Sequence, residues 1–387
     1  MKSALIDFCI NCIRTESRSG REAQMATLVA GEMKKLGYDK VIIDDYGSVI
    51  GKINGSGEKS VLFEGHMDTV DVPSIEQWSV DPFGGEIKDD KLYGLGSADM
   101  KSALAAMIYG AGELIEQRDR LRGDVYVCAV VFEETMEGVA FEKILDNINP
   151  DWVILGEPSD LKLALGQKGR AEIVIKTSGK NAHSATPEYG INAIDAMHKF
   201  ICKVNEIPFN SSEQLGKGIL EITDIISSPY PGSSVVPNYC RATYDRRLIE
   251  DESEESVLEP FKKIIEKLKR EKSDFDGTAS IEYAAEKTYT GALIESSRFF
   301  PGWIIDTGST IVKAALDSYS RLGIEAEICY YPFCTDGSAS AGKRNIPTIG
   351  IGPASPEMVH KVDEYVRIDD IMKVKNLYRG IALSLLE

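Results

Sequence analysis

Short apolar runs alternate with segments of helical period along this chain, and the alternation is interrupted once and then resumed; no other feature narrows the fold as much. Arg21 to Leu36 repeats its apolar residues at helical spacing, Val61 to Phe63 is a short apolar run, and Lys101 to Gln117 is a helical segment rich in Ala, Met and Leu. Asp124 to Phe132 (DVYVCAVVF) reads as a buried strand, Glu142 to Asn147 as part of a helix, and Trp152 to Leu155 as another buried strand. Parallel strands need a crossover element between them, so this order predicts an α/β layer with a largely parallel sheet. From about Gly169 the pattern changes. AEIVIKTSG, ILEITDIISS, CRATYDRRLI and ASIEYAAEK are longer, half-exposed strand patterns, with only two helices among them, Ile191 to Val204 and Ser253 to Arg270. After about Thr288 the first pattern returns, with a helix from Thr310 to Arg321, a strand from Pro347 to Ile351 and a closing helix from Asp369. The expected organisation is a discontinuous α/β domain, residues 1–168 and 289–387, with an α+β domain inserted over 169–288.

Composition removes several classes of function. The 387 residues, 43% hydrophobic and 27% charged, suffice for two cores. A net charge of −17 argues against a nucleic-acid partner, which needs a basic footprint. No apolar run approaches the roughly 20 residues that span a bilayer, so no membrane partner is expected. The opening MKSALIDFCINCIRTES places polar groups where a secretory signal would need apolar ones, and the expected location is the cytoplasm. Seven cysteines, an odd number scattered along the chain, point to reduced thiols. Cys9-x-x-Cys12 lacks the second pair of a zinc knuckle and lies in a helix-like segment, so it is read as structural.

The polar residues that follow the apolar runs carry the chemistry. His66 and Asp68 follow VLF, Glu133 and Glu134 follow VYVCAVVF, Glu157 follows WVILG, and His360 lies after PTIGIG. In an open α/β sheet the loops at the carboxyl ends of the strands share one crevice, so these residues can meet. Asp99, directly before a helix, suits a helix N-cap; beside two histidines and three glutamates at converging loops it is also a candidate carboxylate bridge between two metals, and it can do both jobs. Asp68 is placed to hold the second ring nitrogen of His66. The adjacent carboxylates Glu133 and Glu134 would repel each other unless cations were present; one can ligate while the other accepts a proton from water. Imidazole and carboxylate donors without thiolate suit Zn²⁺, with Co²⁺ or Mn²⁺ as substitutes.

In this order, G-H-M-D-T-V, LYGLGSADMKSALAAM, FEETMEG, GEPSD, G-K-N-A-H-S-A-T-P-E-Y-G-I-N-A-I and V-H-K-V-D-E resemble the M20 metallopeptidase family. That family includes acetylornithine deacetylase, succinyl-diaminopimelate desuccinylase, aminoacylase and glutamate carboxypeptidase. Within it, LGKGILEITDI, DRRL and FCTDGSASAG are most similar to the selenium-metabolism-linked hydrolases.

The resemblance implies a catalytic domain with a mostly parallel mixed sheet holding two divalent ions, and an inserted dimerisation or lid domain. It implies that Asp99 bridges the ions, with His66 and Glu157 completing one site and Glu134 and His360 the other. Glu133 would be the general base, and Asp68 a further catalytic residue. His183 matches a histidine that stabilises the oxyanion, often from the partner subunit, which implies a homodimer. Arg247 matches an arginine that grips a substrate carboxylate. Thr335, Asp336 and Gly337 match a substrate-side loop. The chain departs from the family pattern at Ser234, where Asn-x-x-Pro is usual, and at Ser338, where the desuccinylase branch has Arg. The implied substrate is an N-acyl amino acid or small peptide cleaved at its amide by a deacylase or carboxypeptidase, Glu157 tilting the choice away from aminopeptidases. The alternatives are a dipeptidase or aminopeptidase of the same family, or a non-catalytic binding member.

Overall fold

The computed structural model describes residues 2–387. They form two compact units, one comprising the residues up to Gln167 with Ala285–Ser296 and Trp303–Glu387, the other Lys168–Ala284 with Ser297–Gly302.

The first unit is built on a nine-stranded mixed sheet. Its centre is parallel: Gly123–Val130 and Trp152–Leu155 flank Lys59–His66, and Thr348–Gly350 follows on the far side of Trp152–Leu155. Its edges are largely antiparallel, with Lys40–Ile43 and Val49–Ile53 on one side and Leu163–Gln167 with Trp303–Ile304 on the other. The central strands are buried on both faces, which explains why they read as unbroken apolar runs. The helix Lys101–Gly112 is buried from Lys101 through Ala111 and packs on Lys59–His66 and on the closing helix Ile368–Leu386. A helix apolar on all sides belongs inside a core. Gly110 permits the approach of these two helices, since a Cβ there would lie 2.8 Å from the carbonyl oxygen of Lys375.

The second unit is a five-stranded antiparallel sheet in which Gly169–Ser178 is flanked by Tyr239–Leu248 and Asp276–Ile281, with Ile219–Ser228 at the edge. The helices Ala193–Val204 and Glu254–Glu271 pack on it, burying Met197, Phe200, Phe261 and Ile265 against Ile173 and Ala242. Each helix starts where its sequence offers a cap. The Asn192 side chain accepts the Ile194 amide, and Ser253 and Ser256 form a reciprocal capping box. The expected single strand ASIEYAAEK is two strands, Asp276–Ile281 and Tyr283–Lys287. The main chain at Glu282 turns aside to pair with the Glu172 carbonyl and the Arg298 amide.

Candidate metal centre

The parallel centre of the sheet explains how distant residues meet. His66 ends one strand, Glu133 and Glu134 stand just beyond a second, Glu157 two residues beyond a third, and His360 in the loop after a fourth. All lie on the carboxyl side of parallel neighbours, where backbone loops diverge and leave a crevice. Gly156 holds Glu157 close to the helix Lys101–Gly112; a Cβ there would come within 2.3 Å of Met100 Cε.

Asp99 stands at the middle of the cluster. Its Oδ1 is 3.0 Å from His66 Nε2, and its Oδ2 is 3.5 Å from His360 Nε2. The N-cap of the following helix is Met100, with no side-chain capping bond, so the Asp99 carboxylate is left to face the two imidazoles. His66 Nδ1 donates to the Asp68 main-chain carbonyl at 3.0 Å, which turns Nε2 toward Asp99. Glu134 lies 3.0 Å from His360 Nε2. Two sets of donor atoms each fall within 4.8 Å of one another, His66 with Asp99 and Glu134, and His66 with Glu133 and Glu157.

Asp68 does something different from the expected carboxylate grip on His66. Its side chain, fully buried, lies 3.6 Å from Nδ1, and its oxygens instead accept the amides of Glu133 and Glu134, each at 3.2 Å, and the Ser19 hydroxyl at 2.6 Å. The carbonyl orients the imidazole, and the carboxylate holds the main chain of the glutamate pair.

Burial sets the electrostatics. It pushes the carboxyls of Glu133, Glu134 and Glu157 up from the usual range, and neighbouring negative charges push them further: Glu157 and Asp336 at Glu133, Asp99 at both Glu134 and Glu157. Burial opposes a charge on His66, but the hydrogen bond and charge of Asp99 outweigh it and raise the imidazole. His360 is raised chiefly by its hydrogen bond to Glu134. So many carboxylates at this depth are stable together only as neutral acids or against cations. The donor set of imidazole nitrogens and carboxylate oxygens fits divalent ions, and no thiol is among it.

Three buried carboxyls around the cluster escaped the sequence reading. Glu22 accepts the amides of Gly20 and Phe132, and burial beside Asp68 raises it to about 8. Glu364 accepts the amides of Ala98 and Asp99 and is also raised by burial to about 8. Glu64 shares the face of His66 two residues earlier and is raised by burial and by Asp336. Only the period-two spacing of Glu64 from His66 offered a sequence signal. Lys101 also turns inward, its Nζ donating to the carbonyls of Cys12 and Thr15, and burial lowers it to about 8. Cys9 and Cys12 are buried free thiols raised by burial, Cys12 to about 12, in keeping with a structural role.

The residues expected on the substrate side fall in both units. Thr335 and Asp336 are each 1% exposed and turn inward. The Thr335 hydroxyl binds the Gln167 side chain and the Gly337 amide, while Asp336 accepts the Gly138 amide. Ser338 is fully buried, and its Oγ would be 2.8 Å from a Cβ at Gly138, a setting with no room for the arginine of the desuccinylase branch. In the second unit, His183 is exposed and bridges Val235, next to Ser234, whose carbonyl accepts the Ser184 amide. Ser234 takes a left-handed φ of 56°. Arg247 is half-buried, its Nε 2.8 Å from Asp245, whereas Arg246 points the other way and pairs with Glu252. Tyr239 pairs with Ser178 and Arg247 with Arg170, so Arg247 and the His183 loop occupy opposite ends of the sheet, about 25 Å apart at the strand rise.

Comparisons with known proteins identify the family. The family model described as Peptidase family M20/M25/M40 matches residues 62–384. The chain is 30% identical over 385 residues to the uncharacterized protein YgeY of Escherichia coli (strain K12), covering 97% of this chain and 93% of that protein. It is 29% identical over 360 residues to the acetylornithine deacetylase of Photorhabdus laumondii, covering 88% and 85% of the two chains. Among solved structures, the Bacillus subtilis protein YXEP, described as a dinuclear metal binding peptidase from the M20 family, superposes with a TM-score of 0.75 at 15% identity over 100% of this chain and 98% of that one. Among the described residues no helix is long and apolar enough to cross a membrane. With a matching model over most of its length and a relative at this identity over nearly all of it, the chain belongs to Peptidase family M20/M25/M40.

Proposed function

We propose that the protein is a hydrolase of linear amides that works with two divalent ions, zinc by its donor set and cobalt or manganese as substitutes, on an N-acyl amino acid or a small peptide with a free carboxylate. One observation carries the reading: the two oxygens of Asp99 face two different imidazoles, His66 and His360, inside a buried nest of glutamates. In this reading Asp99 serves both ions, His66 and Glu157 complete one set and Glu134 and His360 the other. When bound, the ions polarise the scissile carbonyl and make water acidic enough to attack at neutral pH.

The remaining tasks fall to this chain. Glu133 takes the proton of the attacking water and returns it to the leaving amine, a role open to the member of the glutamate pair that the two ligand sets leave free. Asp68 keeps the Glu133 and Glu134 amides in place. Thr335, Asp336 and Gly337 act through the bond of Asp336 to the Gly138 amide, by shaping the loop that begins at Glu133. Arg247 holds the substrate carboxylate, Ser234 shapes the loop beside His183, and His183 donates to the developing oxyanion. A small substrate does not span the distance between Arg247 and His183 on one copy of the second unit. If both serve it, they come from two copies, which supports a homodimer with His183 acting in trans. The free cysteines are in keeping with a cytoplasmic setting.

The test is a panel of N-acyl amino acids and dipeptides offered to protein reconstituted with Zn²⁺, Co²⁺ or Mn²⁺. Hydrolysis of acylated or carboxyl-terminal substrates is expected. Cleavage confined to substrates with a free amino terminus would transfer the protein to the aminopeptidases, and tight binding without turnover would make it a binding protein.

A further inference from the structure

Glu364 is 1% exposed, four residues beyond His360, and has no part in the chemistry described above. Its Oε1 accepts two amides, from Ala98 at 2.7 Å and from Asp99 at 3.1 Å. Its own carbonyl accepts the Gly94 amide at 3.0 Å. The next residue, Tyr365, pairs with Tyr93 in the antiparallel ladder Tyr365–Arg367 to Lys91–Tyr93. The loop from Gly94 to Asp99 is therefore held at both ends by one residue, through its carbonyl and its side chain, and that residue belongs to the segment that presents His360. A buried carboxyl group is costly unless its hydrogen bonds are satisfied. Here they fall on the amide of Asp99 itself and on the one before it.

We propose that Glu364 is a positioning residue: it ties Asp99 to the His360 loop and so sets the spacing of the ligands around the second ion, those of Asp99, Glu134 and His360. The inference rests on the dinuclear reading above. The first ion keeps His66 and Glu157, which stand on the strands Lys59–His66 and just after Trp152–Leu155 and owe nothing to Glu364. Loss of the tether loosens both Asp99 and His360 at the second ion but only Asp99 at the first, so the effect is unequal. Because both amides use the same oxygen, the carbonyl of a glutamine can replace it. Alanine removes the acceptor, and aspartate withdraws it by about 1.5 Å, one carbon–carbon bond.

The experiment is a calorimetric titration of the metal-free full chain with Zn²⁺, paired with the visible absorption of the Co²⁺-substituted protein, for wild type and for Glu364→Ala, Glu364→Asp and Glu364→Gln. Wild type should take up two ions. Glu364→Ala and Glu364→Asp should weaken the second ion about 10–100-fold, with a changed cobalt spectrum and an effect on the first ion at least about tenfold smaller. Glu364→Gln should stay within about threefold of wild type at both, with an unchanged spectrum. Equal weakening of both ions, or wild-type binding of the second ion in the aspartate variant, overturns the proposal. Loss of the second ion in the glutamine variant overturns the acceptor role. If the alanine variant does not fold, the contrast of aspartate with glutamine decides. A wild-type protein that takes up fewer than two ions refutes the dinuclear reading itself, and this inference with it.

Discussion

Asp68→Asn removes the charge that three donors share. Oδ1 accepts the Glu133 amide, and Oδ2 accepts both the Glu134 amide and the Ser19 hydroxyl, in a site of zero exposure. Asparagine offers one acceptor oxygen. Whichever way it turns, its NH₂ meets one of the two amides donor to donor, while only the serine hydroxyl can rotate to accept. One buried N–H without an acceptor costs about 1–3 kcal/mol, and exchanging charged for neutral hydrogen bonds at the others costs about 1 kcal/mol more. The expected loss is therefore about 2–4 kcal/mol in the metal-free protein, against about 1 kcal/mol for Ser19→Ala. The two changes should couple, since both act on one carboxylate. Activity should fall further than stability suggests, because the displaced amides carry the proposed base and a ligand, and a shift of about 1 Å at a reacting group costs on the order of 100-fold in rate. Urea titrations of the single and double variants, with turnover on the best substrate of the amide panel, measure both. An Asp68→Asn protein as stable and active as wild type, or strictly additive variants, would refute the account of Asp68 as the clamp on Glu133 and Glu134.

Glu133→Gln should lower kcat by about 10²–10⁴-fold with both ions retained, as measured by turnover and elemental analysis; full activity would sink the base assignment. Mixing Glu133→Gln with His183→Ala chains, each inactive alone, should restore about a quarter of wild-type activity if His183 acts in trans, because half the dimers are then mixed and each has one intact site. No recovery on mixing points to His183 acting in cis. Chelation should abolish turnover and lower the melting temperature, with both restored by Zn²⁺. The metal-free protein should also lose stability as the pH rises. Glu22 and Glu364 are raised by burial from 4.5 to about 8, so the folded state holds these protons more tightly than the unfolded chain. Their contribution is complete below about pH 4.5 and is lost as the pH climbs through about 8, at up to roughly 1.4 kcal/mol per pH unit for each group. Thermal melts between pH 5 and 8 check the sign, and a stability that rises across that window contradicts it.

What the sequence by itself determined is what local periodicity can encode. Trp152–Leu155 and Ile219–Ser228 are the strands that their patterns announce, and the order of apolar runs followed by His66, Glu133, Glu134 and Glu157 already implied a crevice at the strand ends. Periodicity overran where the chain changes character within a pattern: the helix from Lys101 ends at Gly112, and the segment from Ile115 to Arg120 is a tighter turn. Short strands such as Lys40–Ile43, largely exposed, and Leu163–Gln167, fully buried, carried no alternation to detect. Tertiary structure alone took the cap away from Asp99, because the cap position goes to Met100, and turned both Asp99 oxygens to histidines that lie 33 residues before it and 261 after it. The same holds for Asp68, whose carbonyl and carboxylate divide two tasks, and for Glu22 and Glu364, whose partners are amides brought in from distant loops. A hydrogen bond to a main-chain amide leaves no mark on the identity of its partner, and burial is set by everything packed around a residue rather than by its neighbours in sequence.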